Sequence, residues 1–571
     1  MFVQATKSAR KNGKTYVSYL VRESFRTPEG PRSRTVCNIT ELPEPLRELI
    51  AAGLREEPLV PLNQVRLEGA LDYGGLAVLH DAWDRFGLDR LLVDVPAGRT
   101  RGLLKAMVFA RLLFPCAKLA LSDRARGSLL APACGLAAQE SFDEDDLYEA
   151  MDQLNGRWAG MEKQLYGQAF AQPVRLVLYD LTSVYFEGKG PAHLGRYGYS
   201  RDHRGDRPQI NLAVVTDPEG IPIHLEVLKG NRADNRTMHG LLKTMQRRFG
   251  ITEGTFVFDG GMSSHCNLEE MSAEKLHYVT RLSTTTLASL LEELPADRQL
   301  ELGDRTKMLE ITHQGKRYVI AGGTWREQRD LERRTVRLDN AERELKRLAA
   351  VRRKRVDAQK LSSQVGRALQ RLKAHKYFTY HVEADGSLKW SRKAEVISTE
   401  QQLDGWYLLH TNLPVESCDA RQTLAHYKGL LDVEEAFCEL KSYLEVRPVF
   451  HWKPDRVRNH VRLCFLAYWL SARLGKEWRA RNESGEVPRI LRELQTIRVG
   501  FLKVAKQSLK SLMTQIPEDL NRLLSKRVAF VRLRSGRFLR SSGVEAGKWK
   551  GARKAVTADG AISRCLESPE F

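Results

Sequence analysis

Hydrophobic and polar residues are patterned in several different ways along this chain of 571 residues. Residues 1–42 are rich in β-favouring side chains, and turn signals at Asn12-Gly13 and Pro28-Glu29-Gly30 divide them into short runs. From Pro45 to about Tyr166, apolar residues recur instead at the three- and four-residue spacing of an amphipathic helix. One such series is Leu103, Met107, Ala110 and Leu113. The pattern predicts a small β-meander followed by a helical region.

A mixed pattern begins at Pro173. Short apolar runs of the buried-strand type are separated there by turns and by one helical stretch. The predicted order is three strands, a helix and a fourth strand, at Val174–Leu178, Gln209–Val215, Ile221–Leu228, Asn235–Phe249 and Thr255–Phe258. The turn Asp217-Pro218-Glu219-Gly220 marks the second and third strands as a hairpin. This segment predicts an α/β core with a mixed sheet.

About 175 residues then separate Asp259 from Glu434, too many for a loop in a compact domain. They contain their own elements: a hairpin, a long charged helix or helical hairpin, a second hairpin and a strand. In order, these are predicted at Lys307–Thr312 with Arg317–Ala321, Arg326–Lys376, Tyr377–Val382 with Leu388–Ile397, and Trp406–His410. The pattern indicates an insertion of a β-hairpin plus helices mounted on the core.

Charge narrows the class of partner. Lysine and arginine number 91 against 71 aspartates and glutamates, a net charge of +20. This favours a polyanionic partner such as nucleic acid; the alternative is a basic enzyme with a well-solvated surface. The eight cysteines form no Cys-x-x-Cys pair, which indicates reduced thiols in a cytosolic protein. No apolar run of about 18 residues is present and the N-terminus is polar, so neither a membrane span nor a secretory signal is expected.

Three acidic residues carry the candidate chemistry. Asp180 follows Val177–Tyr179 and Asp259 follows Phe256–Phe258, so each is expected at the end of a strand, whereas Glu434 lies in a helix-like segment. Carboxylates held in this way could ligate two hard divalent cations, which act on a phosphodiester from about 3.5–4 Å apart. Each acid also has a plainer interpretation, as a turn or helix-capping aspartate or as a solvated glutamate on an amphipathic helix.

Tyr427 and Lys441 stand seven residues to either side of Glu434. Seven helical residues turn the chain by about 700°, so the three side chains are expected on one face of a helix. That face would place a metal-binding carboxylate between a hydroxyl and an ammonium group suited to DNA phosphates.

The segment from Tyr427 to Lys441 resembles the signature of DDE transposases of bacterial insertion sequences, and more narrowly that of the insertion sequence four superfamily. The signature is Tyr, two residues, Arg, three residues, Glu, six residues and Lys. Tyr427, Glu434 and Lys441 match this spacing.

Leu430 departs from the signature, because it stands where the family has Arg. The DNA-phosphate contact expected from that Arg would then pass to Lys428 or Arg447. Three upstream blocks also resemble the family, at Tyr179–Phe186, Gly230–Asp234 and Val257–Gly261.

The resemblance implies an RNase H-like catalytic core, with Asp180 and Asp259 on strands and Glu434 on the helix after the insertion. The three would ligate two Mg²⁺ or Mn²⁺ ions. The implied activity is that of a transposase, which binds the terminal inverted repeats of its element, cleaves the element ends by metal-dependent hydrolysis and joins the 3′ ends to target DNA. The partner is then double-stranded DNA, with a homodimer in the synaptic complex, in the bacterial cytoplasm at the nucleoid.

The chain after the core is basic and is predicted to be helical from Leu463 to about Leu533, with poor order after Ser541. We therefore expect six segments. They are a β-rich N-terminal domain (1–44), a helical DNA-binding or dimerisation region (45–172), the first part of the core (173–285), the insertion (286–403), the second part of the core (404–475) and a basic helical C-terminal region with a tail (476–571).

Two rival functions stay open. An RNase H-like nuclease would hydrolyse DNA without strand transfer, and a non-catalytic basic DNA-binding protein would keep its acids for structure alone. Ser200–Arg207 is either a DNA contact near the first acid or a polar loop. Trp325 and Trp406 border the insertion, where an aromatic side chain either stacks on a flipped base or packs in a core.

Overall fold

The computed structural model describes residues 1–9, 15–57, 65–137, 141–294, 308–350, 357–481, 486–504 and 510–514. The chain divides into two compact units, residues 1–150 with 486–571 and residues 151–485. The expected tail after Ser541, and the expected helix beyond residue 514, lie outside the described residues.

The first unit begins with a three-stranded antiparallel sheet. Its strands are β1 (Phe2–Ala9), β2 (Thr15–Thr27) and β3 (Gly30–Asn38), in the order β1-β2-β3. The predicted N-terminal β-meander is therefore confirmed.

A helical region follows, as predicted. The helices between residues 44 and 152 are α1 (Glu44–Leu54), α2 (Gly74–Arg85), α3 (Arg99–Leu113), α4 (Lys118–Arg126), α5 (Leu130–Ala133) and α6 (Glu144–Asp152). The series Leu103, Met107, Ala110 and Leu113 is buried on α3, which confirms that its spacing reported a packed helix face.

The C-terminal part of this unit differs from the helical expectation. After helix Val487–Leu494, residues Arg498–Val504 form a strand that pairs antiparallel with Val65–Asp72 and with Lys510–Met513. Val499 and Phe501, two residues apart, are buried. Burial of every second residue is typical of a strand. The pattern is short and lies among basic residues, so a longer sequence window was interpreted as helical.

The second unit is built on an eight-stranded mixed sheet. Its strands are β5 (Leu176–Tyr185), β6 (Gln209–Thr216), β7 (Pro222–Lys229), β8 (Thr255–Phe258), β9 (His277–Arg281), β10 (Met308–His313), β11 (Lys316–Ala321) and β14 (Tyr407–Thr411), in the order β10-β11-β14-β9-β8-β5-β6-β7. β5, β6 and β7 form an antiparallel meander, and β8 and β9 run parallel to β5. This is the RNase H-like core that the resemblance implies.

Helices pack on this sheet and bury its apolar side chains. They are α7 (Trp158–Ala169), α8 (Met238–Phe249), α9 (His265–Ala273), α10 (Thr284–Glu293) and a long helix at Pro454–Arg479. On α8 the buried residues are Met238, Leu241, Leu242, Met245 and Phe249, the stripe of a helix lying on a sheet. They pack with Val177, Tyr179 and Leu181 of β5.

The insertion is partly continuous with the sheet. The predicted hairpin of β10 and β11 belongs to the main sheet. It is joined to the sheet through β14, which pairs with β9 on one side and with β11 on the other. Arg317 of β11 is buried and donates from Nη1 to the Leu413 carbonyl at 2.9 Å and from Nη2 to the Cys418 carbonyl at 2.8 Å. The hairpin therefore braces the segment that follows β14.

The rest of the insertion has its own core. Its elements are α11 (Thr324–Ala350), α12 (Ala358–Arg371), the hairpin β12 (Phe378–Val382) with β13 (Leu388–Arg392), and α13 (Ala394–Leu403). Leu338, Ala341, Leu345 and Leu348 of α11 pack with Leu361, Val365 and Leu369 of α12. Of the two predicted alternatives, a long helix or a helical hairpin, the structure has two helices; Leu331, seven residues before Leu338, is exposed.

None of the described helices is both long enough and apolar enough to span a membrane. The seven cysteines in the described ranges carry free thiols.

A buried carboxylate joins three of the elements around the sheet. Glu162 of α7 is fully buried, and its oxygens lie 3.0 Å from His224 Nδ1 and 3.2 Å from the Leu225 amide, which donates to it. Arg248 of α8 forms an ion pair with the same carboxylate. Burial opposes ionisation, but these charges and hydrogen bonds hold the pKa of Glu162 below its ordinary value.

We expect Glu162→Gln to destabilise the second unit by roughly 3 kcal/mol, because it removes the anion that Arg248 and His224 share. Urea unfolding followed by circular dichroism measures this change. The matched control, Glu416→Gln at an exposed position, should shift the midpoint little. An unchanged midpoint for Glu162→Gln would show that the buried network contributes no net stability.

Candidate active site

The first acid lies within a strand, not at its end. The expected strand stopped at Leu178, whereas β5 continues to Tyr185 and Asp180 pairs with Val214 of β6 at mid-strand. The reason is that Leu181 to Val184 are all buried and paired with β6, so the strand does not end at the acid. The correction leaves Asp180 more rigidly held than a residue in a turn.

The second acid directly follows β8, as predicted, and the strand register brings it beside the first. Tyr179 of β5 pairs with Phe258 of the parallel strand β8, so Asp180 and Asp259 are separated by about one strand spacing, ~4.8 Å. Gly260 allows a tight turn here, since a Cβ at this position would lie 2.5 Å from the Arg281 carbonyl oxygen.

The third acid is on a helix that packs against β5. The helical run consists of α14 (Ala420–Lys428), α15 (Leu430–Cys438) and a π-helical turn (Glu439–Tyr443). Gly429, between the first two, lies against Leu178, where a Cβ would be 3.3 Å from the leucine Cδ1. Val433, Ala436 and Phe437 face the core, and Glu434, next to Val433 at the edge of this buried face, is exposed.

The charges of both other acids act on Asp180. The pKa of Asp180 is raised to about 7, mainly by burial and in smaller part by the negative charges of Asp259 and Glu434, while the Leu181 amide and Arg201 oppose the shift. Three carboxylates this close favour either a proton or a cation. A bound cation would stabilise all three in the ionised form.

The donor set fits a hard divalent cation in its chemistry. Carboxylate oxygens suit Mg²⁺ and Mn²⁺, and Mg²⁺ is usually held by one or two carboxylates together with water and substrate phosphate. Within the described ranges, no three His, Cys, Asp or Glu side chains are grouped closely enough to hold an ion by themselves. An ion held by these acids would therefore need further ligands from water or from substrate oxygens.

The other two signature residues lie on different parts of the helical run. The single helix face expected for them is interrupted at Gly429 and widened by the π-helical turn that contains Lys441. The Tyr427 hydroxyl donates to Asp259 Oδ1 at 3.4 Å, and Lys441 Nζ lies 2.8 Å from Asp202 Oδ1. Each therefore contacts an acidic side chain near the site.

Asp202 connects the signature to the loop before β6. It is 5 % exposed and pairs with both Lys441 and Arg447, the latter at 2.7 Å. Burial lowers the pKa of Lys441, which Asp202 opposes. The remaining candidates differ: Lys428 is exposed, and Leu430, at the signature's Arg position, is half-buried.

Three charged residues at the site escaped the sequence analysis. Arg201, beside Asp202, forms an ion pair with Asp234 at 2.8 Å, and its backbone amide donates to Ser183 Oγ of β5 at 2.8 Å. Ser200–Arg207 was predicted as either a DNA contact near the first acid or a polar loop, and Asp234 only as part of a family-like block. No local pattern reveals the ion pair between Arg201 and Asp234 or the contact of the Arg201 amide with β5.

A second positive cluster lies on the Asp259 side. Burial raises the pKa of Tyr427, while the charges of Arg281 and Arg326 lower it, so both guanidinium groups act on this phenol. Of the two bordering tryptophans, Trp406 is buried among leucines, and Trp325 is 71 % exposed with the Arg329 guanidinium 5.0 Å from its ring.

Comparisons with known proteins place this site in a family. A comparison with curated proteins finds no match. The cryo-EM structure of the piggyBac transposase synaptic complex with hairpin DNA is similar over 84% of this chain and 85% of that chain, at 8% identity and a TM-score of 0.36, a likeness too remote to support further inference. Residues 172–470, just over half of the chain and including all three acids, match the family model of the transposase DDE domain. The chain therefore belongs to the DDE transposase family.

Proposed function

We propose that this protein is a transposase of the insertion sequence four superfamily, with the Tyr-Arg-Glu-Lys type of signature. It binds the terminal inverted repeats of its element, cleaves the ends by metal-dependent hydrolysis and joins the 3′ ends to target DNA. The observation that supports this proposal is that paired strands β5 and β8 bring Asp180 beside Asp259, while the charge of Glu434 on α15 also acts on Asp180.

In this mechanism Asp180, Asp259 and Glu434 are the catalytic residues and hold two Mg²⁺ or Mn²⁺ ions. The ions, when bound, stabilise charge on the attacking and leaving oxygens of the phosphodiester. The sheet and α15 keep the carboxylates in place, and Tyr427 orients Asp259 through its hydroxyl. No side chain needs to attack, since water and then the DNA 3′-hydroxyl are the nucleophiles.

The proposed partner is double-stranded DNA, both terminal repeats and target. The net charge of +20 supports it, because lysines and arginines displace counterions from phosphates. Tyr427, Lys428, Lys441 and Arg447 are the proposed DNA contacts of the signature helix. We expect a homodimer, which holds two ends together, in the bacterial cytoplasm at the nucleoid.

Replacing any one of the three acids should abolish cleavage and leave DNA binding nearly intact. Asp180→Asn, Asp259→Asn and Glu434→Gln keep the side-chain shape but remove a charge that a cation needs. An assay with a labelled element end and a target plasmid measures both cleavage and joining. Cleavage without joining would favour the rival function, a nuclease without strand transfer. Asp385→Asn, on an exposed hairpin, is the control. A near-normal rate in any acid variant would remove that residue from the site.

Activity should require Mg²⁺ or Mn²⁺ and disappear with chelator. Ca²⁺ should support binding with little cleavage, because its looser coordination does not hold the in-line geometry. A titration of each ion against the cleavage rate measures this dependence. Full activity in the presence of EDTA would contradict the proposed metal chemistry.

Asp202→Asn should destabilise the protein more than Lys441→Met does, because it leaves two cations facing each other in a half-buried site. The loss expected for Asp202→Asn is roughly 3 kcal/mol, measured by urea unfolding.

The same two variants test the DNA role of Lys441. If Lys441 also binds a phosphate, Lys441→Met should lower the slope of log DNA affinity against log salt concentration by about one phosphate contact. The change should be the same in the wild-type and the Asp202→Asn backgrounds. An unchanged slope in both backgrounds would restrict Lys441 to its ion pair with Asp202.

A further inference from the structure

Four large aromatic side chains are unusually exposed on two loops of the second unit. Tyr197 and Tyr199 are 67% and 75% exposed, and Phe450 and Trp452 are 58% and 65% exposed. We call these four residues the aromatic face. Burying such rings is normally favourable, so a group of exposed rings indicates a binding surface.

Backbone pairing places the two loops on either side of the end of β5 and β6. Arg196 pairs with Gln209 of β6, Gln209 pairs with Tyr185 of β5, and the next residue, Phe186, pairs with Val449. Each lateral step is about 5 Å, so Arg196 and Val449 are roughly 15 Å apart. The aromatic residues follow immediately after these two positions, so they border one surface at the end of β5.

The loop that carries Trp452 is held in place. The Val449 amide donates to the Tyr185 carbonyl at 3.1 Å, and the Glu187 amide donates to the Val449 carbonyl at 3.0 Å. A Cβ on Gly188 would lie 3.7 Å from Cζ2 of Trp452, so the indole rests on this turn. The exposed ring is therefore preorganised, which lowers the entropy lost when a ligand stacks on it.

The surroundings of the aromatic face are basic. Lys189, Arg196 and Lys453 are exposed, and no acidic side chain in the described ranges pairs with them. Arg204 lies 5.0 Å from the Tyr185 ring centre but is paired with Asp206 at 2.8 Å. Aromatic rings next to Lys189, Arg196 and Lys453 suit a ligand that has flat bases and a phosphate backbone.

The aromatic face is also connected to the active site. Arg201, two residues after Tyr199, donates from its amide to Ser183 of β5, and its charge acts on Asp180. A strand bound across the face would therefore run towards the acids.

We propose that the aromatic face binds unpaired bases of single-stranded DNA next to the element end. The proposal rests on the proposed function, which brings a DNA end to Asp180. Bases within a duplex stack on one another and cannot meet protein rings, whereas unpaired bases present a free face. The basic surroundings favour DNA over a second copy of this chain, whose surface carries the same excess of positive charge.

The test compares binding of a fluorescein-labelled oligothymidine of 16 nucleotides with binding of a duplex of the same length. Trp452→Ala and Tyr199→Ala should each weaken single-strand binding by about five- to tenfold and change duplex binding less than twofold. Trp452→Phe should restore most of the affinity, and Phe25→Ala, an exposed ring on β2, is the matched control. The unfolding midpoint of each variant verifies its fold.

Two results would overturn the proposal. Equal losses on the single strand and the duplex would assign the rings to general duplex binding. Unchanged affinity together with a lower oligomeric state by sedimentation would assign the face to contact between copies of this chain. Binding is scored without cleavage. The aromatic face and the proposed catalytic function can therefore fail independently.

Discussion

Parallel pairing between β5 and β8 is the constraint on which the site depends. The register that places Tyr179 beside Phe258 also places Asp180 beside Asp259, and Gly429 lets α15 approach β5 closely enough for Glu434 to join them. Each carboxylate would be unremarkable alone. Burial raises the pKa of Asp180, and the negative charges of Asp259 and Glu434 add to this shift, so a cation bound here would stabilise its ionised form.

Much of this arrangement was predictable because its signals are local. The hairpin of β6 and β7, the apolar stripe of α8 and the paired helices α11 and α12 each follow from spacing within one segment. The acids were found through strand-like runs and a family signature. Asp180 was wrongly expected at a strand end because an acid inside a buried strand contradicts local preference, and only the paired β6 explains it.

What could not be predicted depends on contacts between distant segments. Asp202 and Lys441 are 239 residues apart, so neither sequence context shows that they form an ion pair. The strand at Arg498–Val504 needs a partner more than 400 positions earlier in the chain. The same limit applies to β10 and β11, whose hairpin was recognised although its place in the main sheet was not.

The position of β14 has a consequence for how the protein folds during synthesis. β9 ends at Arg281, and its outer edge stays unpaired until Tyr407–Thr411 has been made. An open edge of a hydrophobic sheet promotes association between chains, and distant strand pairing is slow. The strand that follows the insertion, β14, therefore closes this edge, and the hairpin of β10 and β11 extends the sheet beyond it. Because Glu434 comes after β14, the third acid is synthesised only after the strand that covers this edge, so a ribosome-bound fragment ending earlier would lack the complete set of acids.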